Sequence, residues 1–536
     1  HTIILSACLH YHPNDLEIWL VDYKQTEFYL YKKKTPPHIK LIGVSKTPDF
    51  TFSLLDKIES EANRRTELMN RFEAQNLEEY RKHKDESGYV NIPRLFIVID
   101  EFHEMSQFVS TEMEYKDKLE NILREYRAQG ITCLMADQTF STGLSGLTSA
   151  AKNQIGLRIA MRNEASPQEI KDTLEVDRAL YSDSMQRTIA LMSQGEFIMK
   201  VYVRNSRGEL TGIKLEKFKG LFTKGDDIAP ISKALRTLYR GQYENSLLYV
   251  NTNEQVPWND ADPMSLDSLE PLRYPNIRIY LGRSATLRPC FGLDMGRQPD
   301  ENLAIVGGTA YQRWELLSSI MRSCKLRNYK LLVFMAEFSD IMSDFAPEIR
   351  RICQEIPRAE LLETLEEWCA KLDILDNMID ERKNTEDVIC VFIGLEIANV
   401  ELSRLPDKKG KSCGGSRTFL DTISKYATPV VGVEPIGEVA PGEVNIAFNA
   451  TSIIDKLFSS GARNGIRCVT EVSVYRQFSK ILKIKDMCRH KVAFSMSADD
   501  CLMYLGNSNF QKNIGQNAVY CDGGKDVKKL LPYKLQ

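Results

Sequence analysis

Two adjacent carboxylates, Asp100 and Glu101, follow a run of five apolar residues, Leu95 to Ile99. A short run of this kind predicts a buried parallel strand, and ligand sites of open α/β sheets lie at the carboxyl ends of such strands. There, Asp100 could hold Mg²⁺ through its water shell, and Glu101 could orient or deprotonate a water that attacks a γ-phosphate. The pattern predicts a Walker B strand, one half of an ATP site. The alternative is a strand followed by a helix that Asp100 caps.

The other half of an ATP site is a glycine-rich turn before a helix, where backbone N–H groups, a lysine and a hydroxyl hold the phosphates. The usual form, GxxxxGK[ST], does not occur in the sequence. In the second half of the chain, an apolar run leads into the turn Gly307, Gly308 and Thr309 and then into a helical pattern. Trp314 stands at the lysine position of this turn and Glu315 at the hydroxyl position, where a carboxylate would repel a phosphate.

The second half of the chain repeats the first half in weakened form. Three pairs of segments match in the same order: Gly130–Gln138 with Gly465–Ser473, Leu157–Arg162 with His490–Ser495, and the end of the Walker B run with Val391–Leu395. The last match puts Gly394 and Leu395 where Asp100 and Glu101 stand, so both catalytic carboxylates are absent there. We therefore expect a degenerate second copy that does not hydrolyse ATP.

Apolar runs alternate with amphipathic helical patterns in both halves, which predicts parallel sheets flanked by helices. With the two site motifs, this predicts an α/β fold of two RecA-like P-loop NTPase cassettes. We expect the first cassette over residues 1–222, an acidic, proline-bearing connector over 223–275, and the degenerate cassette over 276–536. Thr2–Cys8 has the pattern of the helix that follows a phosphate loop, so we expect GxxxxGK[ST] immediately before His1. We expect ATPase activity from the full-length protein and none from the given chain alone.

Composition narrows the class of protein. Of 536 residues, 43% are hydrophobic and 27% charged, as in soluble globular proteins. No apolar run approaches the roughly 18–20 residues that cross a bilayer, so we expect a cytoplasmic location, at the inner face of a membrane if membrane segments lie outside this sequence. The twelve cysteines form no CxxC pair and the seven histidines show no HExxH or paired spacing, which disfavours a metal site built from protein side chains. The net charge of −3 requires any nucleic-acid contact to use a local basic surface.

With these elements placed, the first 220 residues resemble the motor domain of the FtsK/SpoIIIE family of ATP-driven translocases. The motifs that carry the resemblance, in the family's order, are Ile18–Phe28 ("IDPKxxEL"), Arg64–Met69 ("ERRYxLM"), Ile97–Met105 ("VVVDEFAEL"), Arg127–Ile131 ("GRAxGIH"), Ala136–Gln138 ("ATQRP"), Arg158–Arg162 ("TRIAFRV") and Gly195–Met199 ("GDMLY"). The sensor strand departs from the pattern, with Asp137, Thr139 and Phe140 in place of Thr, Arg and Pro. Asp137 is unfavourable beside a phosphate unless it is paired or points away.

The resemblance implies a site and an assembly. It makes Gln138 the γ-phosphate sensor beside Asp100 and Glu101, with ATP and Mg²⁺ as cofactors. Family members work as hexameric rings in which an arginine of one subunit completes the neighbour's site. The candidates in this chain are Arg127, Arg158 and Arg162. The alternative for each is a surface or ion-paired arginine.

Functions of different classes fit the resemblance. The first, which Glu27 and Gly195–Met199 favour, is a motor that moves double-stranded DNA, with the basic loops Lys32–Lys34 and Lys408–Lys411 as candidate phosphate contacts. The second, which the tandem layout favours, is the ATPase of a type VII-like protein secretion system with a secreted protein as its substrate. Asp22–Glu27 lacks the two glycines usual after the lysine in that branch. A third alternative is a non-hydrolysing scaffold or a DNA-defence component. We expect the DNA motor.

Overall fold

The structure is a computed structural model, in which the chain forms two compact units. Unit 1 consists of His1–Asn253 and Ala285–Leu287, and unit 2 of Glu254–Ser284 and Arg288–Gln536. The structure describes residues 1–139, 143–144, 147–161, 167–176, 182–239, 247–381, 386–402, 450–475, 487–506, 517–523 and 527–535. Phe140, Arg162 and the basic loop Lys408–Lys411 lie outside the described residues.

Unit 1 contains a parallel sheet and a small antiparallel sheet. Its strands are β1 (Leu16–Asp22), β2 (Ile39–Val44), β3 (Arg94–Asp100), β4 (Ile131–Met135), β5 (Ile159–Met161), β6 (Glu196–Arg204), β7 (Leu210–Lys219) and β8 (Leu248–Asn251). The parallel sheet has the order β4-β3-β1-β2-β8, and the antiparallel sheet the order β5-β6-β7. Strands β1 and β3 are central and almost entirely apolar, because both of their faces are buried.

Helices of unit 1 pack on both faces of the parallel sheet. The helices of this unit are α1 (Thr2–His10), α2 (Pro48–Asn70), α3 (Leu77–Tyr80), α4 (Phe102–Ser110), α5 (Met113–Arg124), α6 (Ser149–Asn153), α7 (Pro167–Leu174), α8 (Asp183–Ala190) and α9 (Gly225–Leu238). Of these, α7 and α8 pack against the antiparallel sheet. One core cluster joins Trp19 and Ile97 to apolar residues of α2, α4 and α5, and another joins Ile18 and Val98 to α1 and α9. Alternate residues of one strand therefore serve two opposite cores, as the period of a strand requires.

Unit 2 contains one ten-stranded sheet. Its strands are β9 (Ile277–Ser284), β10 (Phe291–Met295), β11 (Leu303–Val306), β12 (Lys330–Met335), β13 (Ala359–Leu362), β14 (Val388–Ile393), β15 (Ile466–Val472), β16 (His490–Ala493), β17 (Ala518–Asp522) and β18 (Val527–Leu531). The order is β10-β9-β18-β17-β16-β11-β15-β14-β12-β13. Strands β16 to β13 in this order are parallel, and the other four are antiparallel.

The helices of unit 2 cover this sheet. They are α10 (Ala261–Leu269), α11 (Ala310–Arg327), α12 (Asp340–Glu355), α13 (Leu365–Glu381), α14 (Leu395–Leu402), α15 (Ala450–Ser460) and α16 (Ala498–Leu505). Helix α11 begins in a capping box, in which Gln312 N–H donates to Thr309 Oγ1 and Thr309 N–H donates to Gln312 Oε1. It ends at Asn328, which adopts the left-handed conformation typical of a helix terminus. The glycine-rich turn thus leads directly into a helix, as its sequence predicts.

The two units share a four-strand core. The order β4-β3-β1-β2 in unit 1 corresponds to β15-β14-β12-β13 in unit 2, and all of these strands are parallel. This confirms the predicted fold class. The strand register and the positive φ that Glu101 and Gly394 share place Gly394 where Glu101 lies in unit 1. The predicted match of Gly394 and Leu395 with the two acids is therefore wrong by one residue: Ile393 and Gly394 take their places, and both carboxylates are still absent. The segments that form β5 and β16 match in sequence, but the two strands have different neighbours in their sheets. β16 pairs with β11, whereas β5 pairs with β6, since the described part of unit 1 holds no counterpart of β11.

The stretch expected as a connector, residues 223–275, is divided between the units. Helix α9 contributes Ile228 and Leu235 to the core of unit 1, and β8 extends its parallel sheet. Helix α10 belongs to unit 2, and the contact boundary falls between Asn253 and Glu254. Sequence polarity in this stretch therefore marks surface elements of both units. Among the described residues, no helix has both the length and the apolar content that spanning a membrane requires.

Candidate nucleotide-hydrolysis site

The carboxyl ends of β1 and β3 bring Asp22 and Asp100 together, because the two strands are parallel and these residues are paired in register. Asp22 is fully buried and accepts hydrogen bonds from the backbone N–H groups of Gln25 (2.6 Å), Glu27 (2.8 Å) and Phe28 (2.9 Å). These bonds tie the carboxylate of Asp22 to the backbone that follows β1. The turn after β1 is thereby fixed, and a negative charge lies beside Asp100.

Asp100 is only partly exposed at the end of β3. Burial, and then the charges of Asp22 and Glu101, raise the pKa of Asp100 from 3.8 to about 6. A divalent cation near this carboxyl group would relieve both effects, because it favours the charged form. The donor set of carboxylate oxygens suits Mg²⁺. The residues present therefore fit the predicted role of Asp100, which is to hold Mg²⁺ through water.

Replacing Asp100 with asparagine is expected to stabilise unit 1 near neutral pH. The raised pKa means that the folded state resists ionisation of Asp100, so stability is lost as pH rises from the unfolded pKa of 3.8 through the folded value of about 6. Discounted for partial exposure, the Asp100→Asn substitution should add about 1–2 kcal/mol to the free energy of unfolding at about pH 7 and nothing at about pH 3. Urea unfolding at both pH values measures this. A gain of equal size at both values would contradict the assigned cause.

Glu101 lies at the junction between β3 and α4. It adopts a left-handed backbone conformation with φ of 54°, and α4 begins at the next residue. Its side chain is buried, and Oε1 accepts a hydrogen bond of 2.9 Å from Gln138 Nε2. Lys24 Nζ lies 3.5 Å from the same oxygen. The structure thus brings the predicted base and the predicted γ-phosphate sensor into direct contact, with a lysine from the end of β1.

Asp137, the unexpected acid of the sensor strand, is paired. Its Oδ2 accepts a hydrogen bond of 2.6 Å from the backbone N–H of His103, and its Oδ1 accepts one of 2.7 Å from the backbone N–H of Gln138. Oδ1 also lies 3.2 Å from His103 Nδ1. An acid beside a phosphate is tolerated only if it is paired or points away, and Asp137 is paired. Asp137 also fixes the start of α4 against the end of β4.

The candidate arginines lie in different surroundings. Arg158 is buried, and its guanidinium donates to the carbonyl of Lys152 (2.8 Å) and lies 3.1 Å from Glu175 Oε2. Arg127 is exposed in the turn before β4, at the amino end of that strand. Asp100 and Glu101 lie at the carboxyl ends of the sheet, so Arg127 is at the far end from the site of its own unit. Arg162 lies outside the described residues.

The equivalent position in unit 2 is built differently. Gly394 has a φ of 70°, and its N–H donates a hydrogen bond of 3.0 Å to Glu471 Oε1. Leu395 is fully buried in the core beneath. Glu471 lies near the end of β15 and is itself buried; burial raises its pKa, and the positive charge of Arg313 opposes that shift. The carboxylate at this site therefore comes from the neighbouring strand and binds protein groups.

Arg313 occupies the inner side of the glycine-rich turn in unit 2. Its guanidinium is 1% exposed and donates to Glu471 Oε2 (2.6 Å), to the carbonyl oxygens of Gly307 (3.3 Å) and Gly308 (2.9 Å), and to Asp340. The turn's own N–H groups are also bonded. Gly307 N–H donates to the carbonyl of Val472 and Gly308 N–H to that of Ser495, both at 3.0 Å. The N–H groups that would hold a phosphate are thus engaged within the protein.

Trp314 and Glu315, at the lysine and hydroxyl positions, point into the core of unit 2. Trp314 is fully buried and stacks on Phe345, with ring centroids 6.2 Å apart. Glu315 is also buried, which raises its pKa, and its Oε2 accepts a hydrogen bond of 3.2 Å from Gln255 Nε2. Neither side chain is placed where it could contact a phosphate at the turn.

The sequence analysis missed several residues of these sites. Lys24 and Asp22 were seen only as the end of a strand, although two charged residues at a strand end signal a site position. His103 carries no signal by spacing, because its partner Asp137 lies on another strand. Arg313 stands at the second glycine position of the degenerate turn, and an arginine there was the available sign that the turn is occupied.

Comparison with known proteins bears on unit 1 first. Residues 1–142 match the FtsK/SpoIIIE family. Over 140 residues the chain is 28% identical to the ESX secretion system protein YukB of Bacillus subtilis, a segment covering 26% of this chain and 9% of that protein. Over 164 residues it is 30% identical to the DNA translocase FtsK of Staphylococcus epidermidis, covering 30% of this chain and 20% of that protein. The chain thus spans a fifth or less of these relatives' length.

Two solved structures share the fold along the chain. The cytoplasmic domain of the Thermomonospora curvata type VII secretion ATPase EccC matches 99% of this chain and 58% of its own, with a TM-score of 0.56 and 15% identity. EssC (ATPases 2 and 3) from Geobacillus thermodenitrificans matches 100% of this chain and 88% of its own, with a TM-score of 0.52 and 12% identity. At these identities the likeness shows the fold, that of P-loop ATPase domains. The match to the FtsK/SpoIIIE family covers residues 1–142 of the chain.

Proposed function

We propose that this chain is the tandem motor segment of an FtsK/SpoIIIE-type ATPase, in which unit 1 carries the catalytic site and unit 2 does not hydrolyse ATP. The observation that carries the proposal is the contrast at one topological position. In unit 1, Glu101 is held by Gln138 Nε2 at 2.9 Å. In unit 2, Gly394 takes the place of Glu101 and Ile393 that of Asp100, and Arg313 fills the adjoining turn.

In unit 1, each residue has a definite task. Bound Mg²⁺–ATP would supply the electrophilic γ-phosphoryl group. Asp100 would hold the water shell of the ion, and Glu101 would orient the attacking water and accept its proton. Gln138 donates to Glu101 Oε1 and so links the sensor strand to the catalytic carboxylate. Lys24 Nζ lies 3.5 Å from the same oxygen and places a positive charge beside Glu101.

In unit 2, Arg313 substitutes for the ligand. A guanidinium between Glu471 and the carbonyl oxygens of the turn makes the contacts that would otherwise require a bound cation or water. Unit 2 is therefore stable without nucleotide, and its role in the motor is to bind a substrate or to regulate the ring. The buried positions of Trp314 and Glu315 support this, because both would have to leave the core to restore a phosphate site.

We propose a ring of identical subunits in which Arg127 acts on the neighbour. Its place at the amino end of β4, away from Asp100 and Glu101, supports a role between subunits and not within one. Arg158 is the weaker candidate, since its guanidinium is committed to Lys152 and Glu175 of its own unit.

A secreted protein is the substrate that the layout favours, which reverses the order expected from sequence. The likeness to the EccC and EssC ATPases extends over 99–100% of the chain, through both units. The basic loop Lys32–Lys34 gives little support to a DNA-binding surface. Lys32 Nζ lies 4.4 Å from the centre of the Tyr249 ring, so this ammonium group contacts its own unit. On the hairpin of β6 and β7, Lys217 is paired with Glu196 at 3.3 Å.

Double-stranded DNA is the second candidate substrate. It is favoured by the 30% identity over 164 residues to the DNA translocase FtsK of S. epidermidis. The end of β1, Asp22-Tyr23-Lys24, also follows the pattern of the DNA branch, without the two glycines usual in the secretion branch.

ATP turnover of the full-length protein, measured with and without linear double-stranded DNA, separates the two substrates. For a protein substrate we expect turnover to change less than about twofold with DNA, at any salt concentration. For a DNA motor, turnover should rise with DNA, and the apparent DNA affinity should fall by about 10³-fold or more between about 50 and 200 mM salt. A steeply salt-dependent stimulation would overturn the protein substrate.

A further inference from the structure

Glu101, His103 and Asp137 bring one imidazole nitrogen and two carboxylate oxygens together beside the ends of β3 and β4. Their donor atoms all lie within 4.8 Å of one another. His103 Nδ1 is 3.3 Å from Glu101 Oε2 and 3.2 Å from Asp137 Oδ1. Around a zinc ion with bonds of about 2.0–2.1 Å, neighbouring ligands of a tetrahedron are about 3.3 Å apart. The two separations agree with that geometry.

A second observation points to a ligand at this cluster. Glu101 is 7% exposed, and its Oε2 is buried without a hydrogen-bond partner among the described residues, while Oε1 accepts from Gln138. Oε2 faces His103 Nδ1. A buried carboxylate oxygen without a hydrogen bond is costly, and a bound cation satisfies it fully.

The surroundings of the cluster orient its members for metal binding. Asp137 is held by the backbone N–H groups of His103 and Gln138. On the other side of the imidazole, His103 Nε2 lies 3.3 Å from Glu104 Oε1, and Lys46 Nζ lies 2.6 Å from that oxygen. In this structure His103 Nδ1 is in hydrogen-bond contact with Asp137 Oδ1 at 3.2 Å, and a bound ion would replace the proton between them. Glu104, beside Nε2, would favour a proton on that nitrogen when Nδ1 binds a metal.

We propose that Glu101, His103 and Asp137 form a site for one transition-metal ion of the zinc class, separate from the Mg²⁺ that Asp100 would hold. The ligands are Glu101 Oε2, His103 Nδ1 and Asp137 Oδ1, and a fourth position is open to water. An imidazole with two carboxylates selects ions such as Zn²⁺ or Co²⁺ over Mg²⁺, which prefers oxygen ligands only. In unit 2 the corresponding positions are Gly394, Glu396 and Val472, so the set of three ligands is not repeated at this place in unit 2.

The bound ion inhibits hydrolysis, a consequence that rests on the proposed function of unit 1. The ion takes the Glu101 oxygen that faces away from Gln138, and a metal-bound carboxylate is a weaker proton acceptor than a free one. Occupancy of this site therefore competes with the role of Glu101 in turnover. Zn²⁺ would therefore inhibit ATP hydrolysis even when Mg²⁺–ATP is in excess.

Co²⁺ titration of the chain, with millimolar Mg²⁺ present, tests the site without any assay of activity. The expected result is one Co²⁺ per chain, with ligand-field absorption of a nitrogen–oxygen site and no thiolate charge-transfer band. His103→Ala and Asp137→Asn should each weaken binding at least about 10-fold. His83→Ala removes a histidine that is paired with a single carboxylate, Glu86, at 2.7 Å, and should leave the affinity unchanged.

Several results would overturn the site. They are equal affinity in wild type and His103→Ala, a thiolate band that assigns the metal to cysteines, or displacement of Co²⁺ by millimolar Mg²⁺. ATP turnover of the full-length protein with added Zn²⁺ then tests the inhibition. In wild type, inhibition should follow occupancy of the site. In His103→Ala, the same inhibition should need at least about 10-fold more Zn²⁺. Tight metal binding with unaltered turnover would overturn the proposed inhibition and leave the site. Tight binding in a protein without turnover leaves the site standing and removes the proposed function.

Discussion

Replacing Glu101 with glutamine should lower ATP turnover of the full-length protein about 100- to 10,000-fold and leave ATP binding intact. Glutamine has the size of glutamate and can still accept the 2.9 Å hydrogen bond from Gln138 Nε2 at the start of α4. It cannot accept a proton from the attacking water. The loss therefore falls on the chemical step, and steady-state turnover beside equilibrium binding of a fluorescent ATP analogue separates the two.

A matched control lies nearby on α5. Glu114 is exposed and pairs with Lys118 at 2.9 Å, so Glu114→Gln makes the same chemical change away from the site and should keep wild-type turnover. If Glu101→Gln kept turnover within about twofold of the control, Glu101 would not be the base, and the assignment of β3 as the catalytic strand would fail.

Replacing Arg313 with alanine should lower the free energy of unfolding of unit 2 by about 3–5 kcal/mol. Arg313 is 1% exposed and Glu471 2% exposed, and their ion pair is 2.6 Å long. Without the guanidinium, Glu471 becomes a buried charge with no cation beside it, and the carbonyl oxygens of Gly307 and Gly308 lose a donor. Denaturant unfolding followed by tryptophan fluorescence reports mainly on unit 2, which holds three of the four tryptophans.

Two further variants make this prediction specific. Arg350→Ala removes an exposed arginine that is bound to Glu363 by two nitrogens, and should cost much less stability than Arg313→Ala because solvent screens an exposed ion pair. The double variant Arg313→Ala with Glu471→Gln removes both buried charges and should recover part of the lost stability. A cost for Arg313→Ala no larger than that for Arg350→Ala would show that the guanidinium does not hold the turn together.

The strands around the site could be predicted closely from sequence, because their signals are local. Leu16–Asp22 is apolar apart from Glu17 and the terminal Asp22, and the observed β1 has those bounds. Residues 52–84 have helical periodicity throughout, but the structure ends α2 at Asn70, and Glu73 adopts a φ of 54°. A new helix begins after Asn76, whose side chain accepts from the N–H of Glu79. Charged, amphipathic periodicity continues across that break, so it could not show where the backbone turns.

The contacts that decide the chemistry of the two sites could not be predicted in the same way. Arg313 and Glu471 are 158 residues apart, and His103 and Asp137 are 34 apart, so each pair exists only once the strand order is known. The sequence did indicate that Trp314 and Glu315 cannot hold a phosphate. It could not indicate that an arginine takes the vacated space, because a buried cation is recognised by its partners and not by its neighbours in the chain.

The most direct test of the central claim is to locate bound nucleotide along the chain. A photoreactive ATP analogue is crosslinked to the full-length Glu101→Gln protein, and labelled peptides are identified by mass spectrometry, with excess ATP as competitor. We expect ATP-competed label on peptides that contain Asp100–Gln138 and none on peptides from Leu303–Arg327. Label on Leu303–Arg327 that ATP competes away would contradict the account, because Arg313 could not then occupy the turn of unit 2.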